Sequence, residues 1–173
     1  MTGGRQSGRE NSANAGSRGA RSAARLAAVQ ALYQAELGGE DAETVVGEFV
    51  AHRLGKEIEV DRYVNADEAF FRDLVAGTER RQQEIDALIS SALSSDWSLE
   101  RLERIMRAVL RAGAYELVAR TDVPTKVVID EYVDVAHAFF GDKEPGFVNG
   151  VLDRLGRSAR DGDRPTGGAE ASA

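Results

Sequence analysis

Apolar residues recur at intervals of three and four almost throughout residues 18–157, and no segment alternates apolar with polar residues as a half-buried strand must. That pattern restricts the chain to helices, each burying one stripe against its neighbours. There is no internal repeat, which argues against a solenoid. A chain of 173 residues, 42% hydrophobic and 29% charged, is long enough for one domain with its own core.

The pattern divides into segments. The first helix is expected over "SRGARSAARLAAVQALYQAEL", Ser17 to Leu37. From Ala42 to about Leu54, Val45, Val46, Phe49 and Val50 repeat at helical spacing. Asn65 followed by Glu68 resembles a capping box and opens a segment with Phe70, Phe71, Leu74 and Val75. Ile85, Leu88, Ile89 and Leu93 continue its stripe, with Gly77 marking either a break or a close contact. Ser98 is expected to cap a long helix carrying Leu102, Ile105, Met106, Val109, Leu110 and Leu117 on one face. Glu100 with Arg104, and Glu103 with Arg107, have i,i+4 spacing on its exposed side.

Pro124 suits the first turn of the next helix, where its missing N–H breaks no bond. That helix carries two apolar stripes, Val128, Tyr132, Val135 and Phe139 on one and Ile129, Val133, Ala136 and Phe140 on the other. It is therefore predicted to be the most buried helix, ending at Gly141. Pro145 opens the last helix, with Val148, Val151, Leu152 and Leu155 inward. The pair Asn149-Gly150 signals a hairpin in other settings, but here the flanking period is helical and no partner strand exists. Residues 1–17 and 158–173 are Gly, Ser, Ala, Asn and Asp with hardly an apolar anchor, so both are expected to be disordered tails flanking a domain at 18–157.

Several function classes fall away. Without cysteine the chain has no disulfide, thiolate nucleophile or thiolate metal site, which fits a reducing, cytoplasmic location. No apolar run reaches the roughly 18 residues of a membrane span, and the N-terminal segment is too polar for a secretory signal. His52 and His137 lack the spacing of a helical metal pair, and HExxH, P-loop and GxSxG motifs are absent. No catalytic residue, cofactor or metal is expected, and the carboxylates read as solvated surface. Charge is uneven: the first 25 residues carry +4 and the remainder −11, out of a net −7. A basic arm thus precedes an acidic body.

On a helical wheel, Arg18, Arg21 and Arg25 share a side with Val29, Leu32, Tyr33 and Leu37. Three guanidiniums on a core stripe would each cost several kcal/mol of desolvation without a buried partner. The expected geometry is therefore an overhang, with the first turns beyond the body, burial beginning at about Leu26 and the arginines projecting into solvent. A row at i, i+3 and i+7 suits phosphate contacts, and such a helix end can firm up on a polyanion. A solvated, Arg-rich helix start without a ligand satisfies the same spacing.

The runs "AARLAAVQALYQAEL", "FFRDLVAG" (70–77), "RAVLRAGAYEL" (107–117), "DVPTKVVIDEYVDVA" (122–136) and "FVNGVLD" (147–153) resemble, in order, the NusB family of transcription antitermination factors. The resemblance covers about residues 20–157. It implies an all-α fold of about seven helices in two packed bundles, with an arginine-rich N-terminal motif. It further implies binding of boxA RNA on nascent ribosomal transcripts together with the ribosomal protein NusE, in an antitermination complex with RNA polymerase. Arg21 and Arg25 fall on the family's arginine motif, Ser22 and Ala23 stand where many members have further basic residues, and Arg18 lies one turn earlier. Gln30 and Tyr33 match the "QALY" run, Tyr33 bordering RNA or packing. Lys126 is a further candidate phosphate contact. Phe147 and Asn149 are candidate partner-facing residues, or else core and cap. A helical protein–protein adaptor, or a homodimer without specific RNA binding, is the alternative.

Overall fold

The computed structural model describes residues 7–54 and 66–161. Among them are seven α-helices and no strand: α1 (Ser7–Gly38), α2 (Ala42–His52), α3 (Glu68–Arg80), α4 (Gln82–Ala92), α5 (Arg104–Ala119), α6 (Thr125–Phe139) and α7 (Glu144–Gly156). A 3-10 turn at Leu99–Arg101 precedes α5 and a π turn at Arg157–Asp161 follows α7. The helices divide into two compact units, one up to Arg80 and one from Arg81 onward. Helix α1 starts ten residues before the Ser17 expected from periodicity. Residues 1–6 and 162–173 of the expected tails lie outside the described residues, as does Asn65.

In the first unit α1 packs on α2 and α3, and α2 packs on α3. The buried face of α1 is small, with Ala24, Ala27, Ala28, Val29 and Ala31, so the larger Val45, Val46, Phe49, Phe71, Leu74 and Val75 fill the space between the helices. Phe49 and Phe71 stack with centroids 5.8 Å apart. Helix α1 stops at Gly38, and Gly39 takes the left-handed conformation (φ +67°) that ends helices at no steric cost. Asp41 then caps α2, accepting the Thr44 N–H at 2.8 Å, and Thr44's hydrogen bonds hold its carboxyl below the usual range. Glu79 of α3 accepts the Ala42 N–H, tying the start of α2 to α3.

The start of α3 corrects the expected Asn65–Glu68 box. Asp67 is the cap: its Oδ1 accepts the Phe70 N–H at 3.0 Å, and its own N–H donates to the Ala20 carbonyl of α1 at 3.0 Å. Glu68 becomes the first helical residue and pairs with Arg72 one turn on. Gly77 is buried within α3, which favours the close-contact reading, and the break with α4 falls at Arg81. Arg81 turns to Glu84 in a two-pronged ion pair.

In the second unit α5 packs on α4, α6 and α7. Ten of its residues are buried against five in α6, so α5, and not α6, is the most buried helix. Periodicity overrated α6 because Phe139, on one of its apolar stripes, is 37% exposed, and Val133 and Phe140 on the other are only half-buried. At Gly113, α5 and α7 approach so closely that a Cβ would stand 2.8 Å from Leu152 Cδ1. The single long helix expected from Ser98 is instead the 3-10 turn, an extended Leu102 and α5. The break holds because Arg107 Nη1 donates to the Glu100 and Leu102 carbonyls, which the helix no longer serves. Pro124 and Pro145 stand at the starts of α6 and α7, Gly141 lies just past α6, and Asn149-Gly150 is helical. Val148, Val151, Leu152 and Leu155 all face inward.

Two arginines close helix ends in this unit. Arg154 Nε donates to the Ala92 carbonyl at the end of α4 (2.8 Å). Arg160 spreads its guanidinium over the carbonyls of Leu117 (3.0 Å), Arg120 (3.1 Å) and Val123 (2.7 Å) and the Thr125 hydroxyl (2.9 Å), satisfying the last turn of α5. Burial pushes its pKa below the ordinary arginine value, opposed by the nearby Glu116 and Asp122 carboxylates.

Candidate nucleic-acid interface

The arginines of α1 do share one face, as their spacing requires, but their exposure falls stepwise along it. Arg18 is exposed, Arg21 is half-buried and Arg25 is only 2% exposed. The common overhang expected for all three is therefore corrected: burial begins at Ala24, and Arg25 belongs to the body. The reason is the start of α3. Its first turn is bonded to Ala20, which brings Phe70 under the arginine face of α1. The guanidinium carbons of Arg21 and Arg25 lie 4.9 and 5.0 Å from the centroid of the Phe70 ring. An aromatic face attracts a cation through its quadrupole, worth about 0.5–2 kcal/mol depending on desolvation. For Arg25 the ring is not the only partner.

This contact differs chemically from an ion pair. A carboxylate would occupy the N–H donors of the guanidinium, whereas a ring face attracts its charge and leaves the in-plane donors for another acceptor. Among the described residues, neither Arg18 nor Arg21 is paired with a carboxylate. Farther along the helix, Gln30 and Tyr33 are half-buried, so Tyr33 both packs and shows an edge. Arg18, Arg21, Arg25, Gln30 and Tyr33 belong to the first unit; Lys126, Phe147 and Asn149 belong to the second.

Lys126 is exposed in the first turn of α6. Phe147 and Asn149 do not share a face. Two residues apart on α7, they diverge: Asn149 is exposed, and Phe147 is half-buried against Trp97 with ring centroids 5.9 Å apart. Trp97 and Phe147 line a groove of 490 Å³ together with the apolar Leu102, Met106 and Phe140 and the charged Arg101, Glu103, Lys143 and Glu144. Trp97 is 49% exposed, an aromatic surface the periodicity analysis passed over because Trp97 precedes the helix.

The NusB family model matches residues 22–157. The chain belongs to the NusB family. It is 59% identical over 143 residues to the transcription antitermination protein NusB of Nitrobacter winogradskyi, covering 83% of this chain and 89% of that one. Among solved structures it resembles T. maritima NusB (TM-score 0.67, 33% identity, 82% of this chain and 94% of that chain). It also resembles a chain from a crystal structure of the antitermination factors NusB and NusE in complex with dsRNA (TM-score 0.67, 28% identity, 80% and 96%).

The NusB match begins at Ser22, one residue past Arg21, so Arg18 and Arg21 lie outside it and their placement rests on the geometry of α1. For this NusB-family chain, sequence reasoning missed Phe70. It is apolar, 2% exposed and on the α3 stripe, and only the cap at Asp67 and the bond to Ala20 reveal that its ring serves α1. Among the described residues no helix is long and apolar enough to cross a membrane, and no cluster of three or more His, Asp or Glu could hold a metal.

Proposed function

We propose that this chain is a transcription antitermination factor that binds boxA RNA of nascent ribosomal transcripts together with NusE, within an antitermination complex with RNA polymerase. The observation that carries the RNA reading is Arg21, held on a ring face with its donors unclaimed, next to the exposed Arg18. RNA phosphates take charge-assisted hydrogen bonds from these guanidiniums, and they fix position, while unstacked bases and the protein partner supply selectivity. Arg25 supports the same surface from below. Gln30 and Tyr33 are assigned to the same α1 surface, and Lys126 of the second unit to a separate phosphate contact.

The Trp97–Phe147 groove is assigned to the protein partner, since a lining that combines aromatic and apolar side chains with charges of both signs suits an apolar side chain with polar neighbours. Asn149 contributes at most a separate contact on the other side of α7. The domain responsible is residues 18–157. The reading involves no catalytic step, cofactor or metal, and it places the protein in the cytoplasm, where transcripts are made. The NusB–NusE complex with RNA among its structural relatives supports both partners.

The test is a titration of labelled boxA RNA and a scrambled RNA, each with and without NusE. Tighter binding of boxA than of scrambled RNA, strengthened by NusE, is expected. Equal weak binding under all four conditions would favour a protein-only adaptor, and light scattering in the same buffers would identify a homodimer.

A further inference from the structure

We infer that Phe70 is a positioning residue for RNA phosphate: its ring holds Arg21 in place on α1 so that the guanidinium meets the backbone already oriented. This rests on the RNA reading above and adds a residue that itself touches no RNA. Phe70 is 2% exposed and fixed at both ends of its environment, its N–H on Asp67 Oδ1 and the preceding turn on the Ala20 carbonyl. The ring is therefore a rigid platform beside the residue that follows Ala20. A free arginine carries substantial rotamer entropy, and a side chain already restrained loses less of it on binding.

The same ring also collects a second cation, Arg25, at 5.0 Å. Arg25 has a further partner within the protein, whereas Arg21 has only the ring among the described residues, so the donors left open to an anion are those of Arg21. A carboxylate in place of Phe70 would hold the arginines as well but would neutralise the site beforehand.

The experiment uses the full chain and a fluorescent boxA RNA. Phe70→pentafluorophenylalanine keeps the size of the ring while reversing its quadrupole; Phe70→Leu removes the ring and keeps an apolar side chain. About three-fold weaker RNA binding is expected for the fluorinated protein, and at least as much for Phe70→Leu. The deciding comparison is the same pair of changes in an Arg21→Ala background, where fluorination is expected to cost clearly less, because the side chain it orients is gone and only the Arg25 contact remains. Unaltered affinity on fluorination, or an equal loss with and without Arg21, would overturn the positioning role and leave Phe70 as core. If Arg21→Ala alone binds RNA as tightly as the parent, the RNA reading of this face fails, and the role of Phe70 fails with it.

Discussion

The arginines of the second unit and those at the start of α1 are attached to their surroundings by different chemistry. Arg107, Arg154 and Arg160 donate into backbone carbonyls at helix ends, and Arg111 forms a two-pronged pair with Asp86 across α4 and α5. Their donors complete the fold. Arg21 rests on a phenyl face and Arg18 is exposed, so the charge is held while hydrogen-bonding capacity remains. Arg25 stands between the two uses: it is the most buried of Arg18, Arg21 and Arg25, shares the ring, and has a further partner within the protein. What distinguishes them is whether the acceptor already lies inside the protein.

The largest effect should come from Arg160→Ala. Removing the fork strands the carbonyls at the end of α5, and since the site is partly exposed we expect a loss of about 2 kcal/mol in urea unfolding. Arg160→Lys should recover less than half, because an ammonium cannot span these acceptors. RNA affinity should be unchanged in both; a parallel loss of RNA binding would blur the distinction between the units.

Arg25→Ala should show an intermediate pattern, with a stability loss of about 1 kcal/mol from lost packing and ring contact together with weaker RNA binding. Arg21→Ala should separate the two properties: RNA affinity falls about five-fold while the urea midpoint shifts by less than about 0.5 kcal/mol equivalent. A large stability loss at Arg21 would mean that it serves the fold as Arg160 does.

The smallest effect is on the acid side and should be alike in both units. Asp41 is held below its ordinary carboxyl range by Thr44, and Glu84 by Arg81. A carboxylate with a depressed folded-state pKa stabilises above its unfolded value, near 4, and that contribution disappears as pH falls through the lower folded value. Circular dichroism between pH 5 and about 2 should therefore show slight helix loss that Asp41→Asn and Glu84→Gln each reduce. A pH dependence confined to one unit would show that the difference between the units extends beyond their arginines.

The stripes that place α1 to α7 were legible because burial of one helix face is a local, periodic demand. Val45, Val46 and Phe49, or Val148, Val151 and Leu152, meet it without knowledge of the partner helix. The common side of Arg18, Arg21 and Arg25 was legible for the same reason. What lay beyond reach was long-range. The break at Leu102 has neither Gly nor Pro and depends on Arg107 reaching back to two carbonyls. The closing of α5 by Arg160 joins residues 43 apart. At the candidate site, Arg25 was placed outside the core because the ring that receives it comes from α3, and an apolar stripe does not declare which of its aromatic faces meets a cation.

The central claim is that the guanidinium of Arg21 keeps its donors for phosphate. Its most direct test is the salt dependence of boxA RNA binding for the parent chain and Arg21→Ala, read as the slope of log affinity against log salt. The account predicts a slope shallower by about 0.7–1 in the variant, the loss of one phosphate contact, with affinities that converge at high salt. Superimposable lines of the same slope and affinity would contradict it.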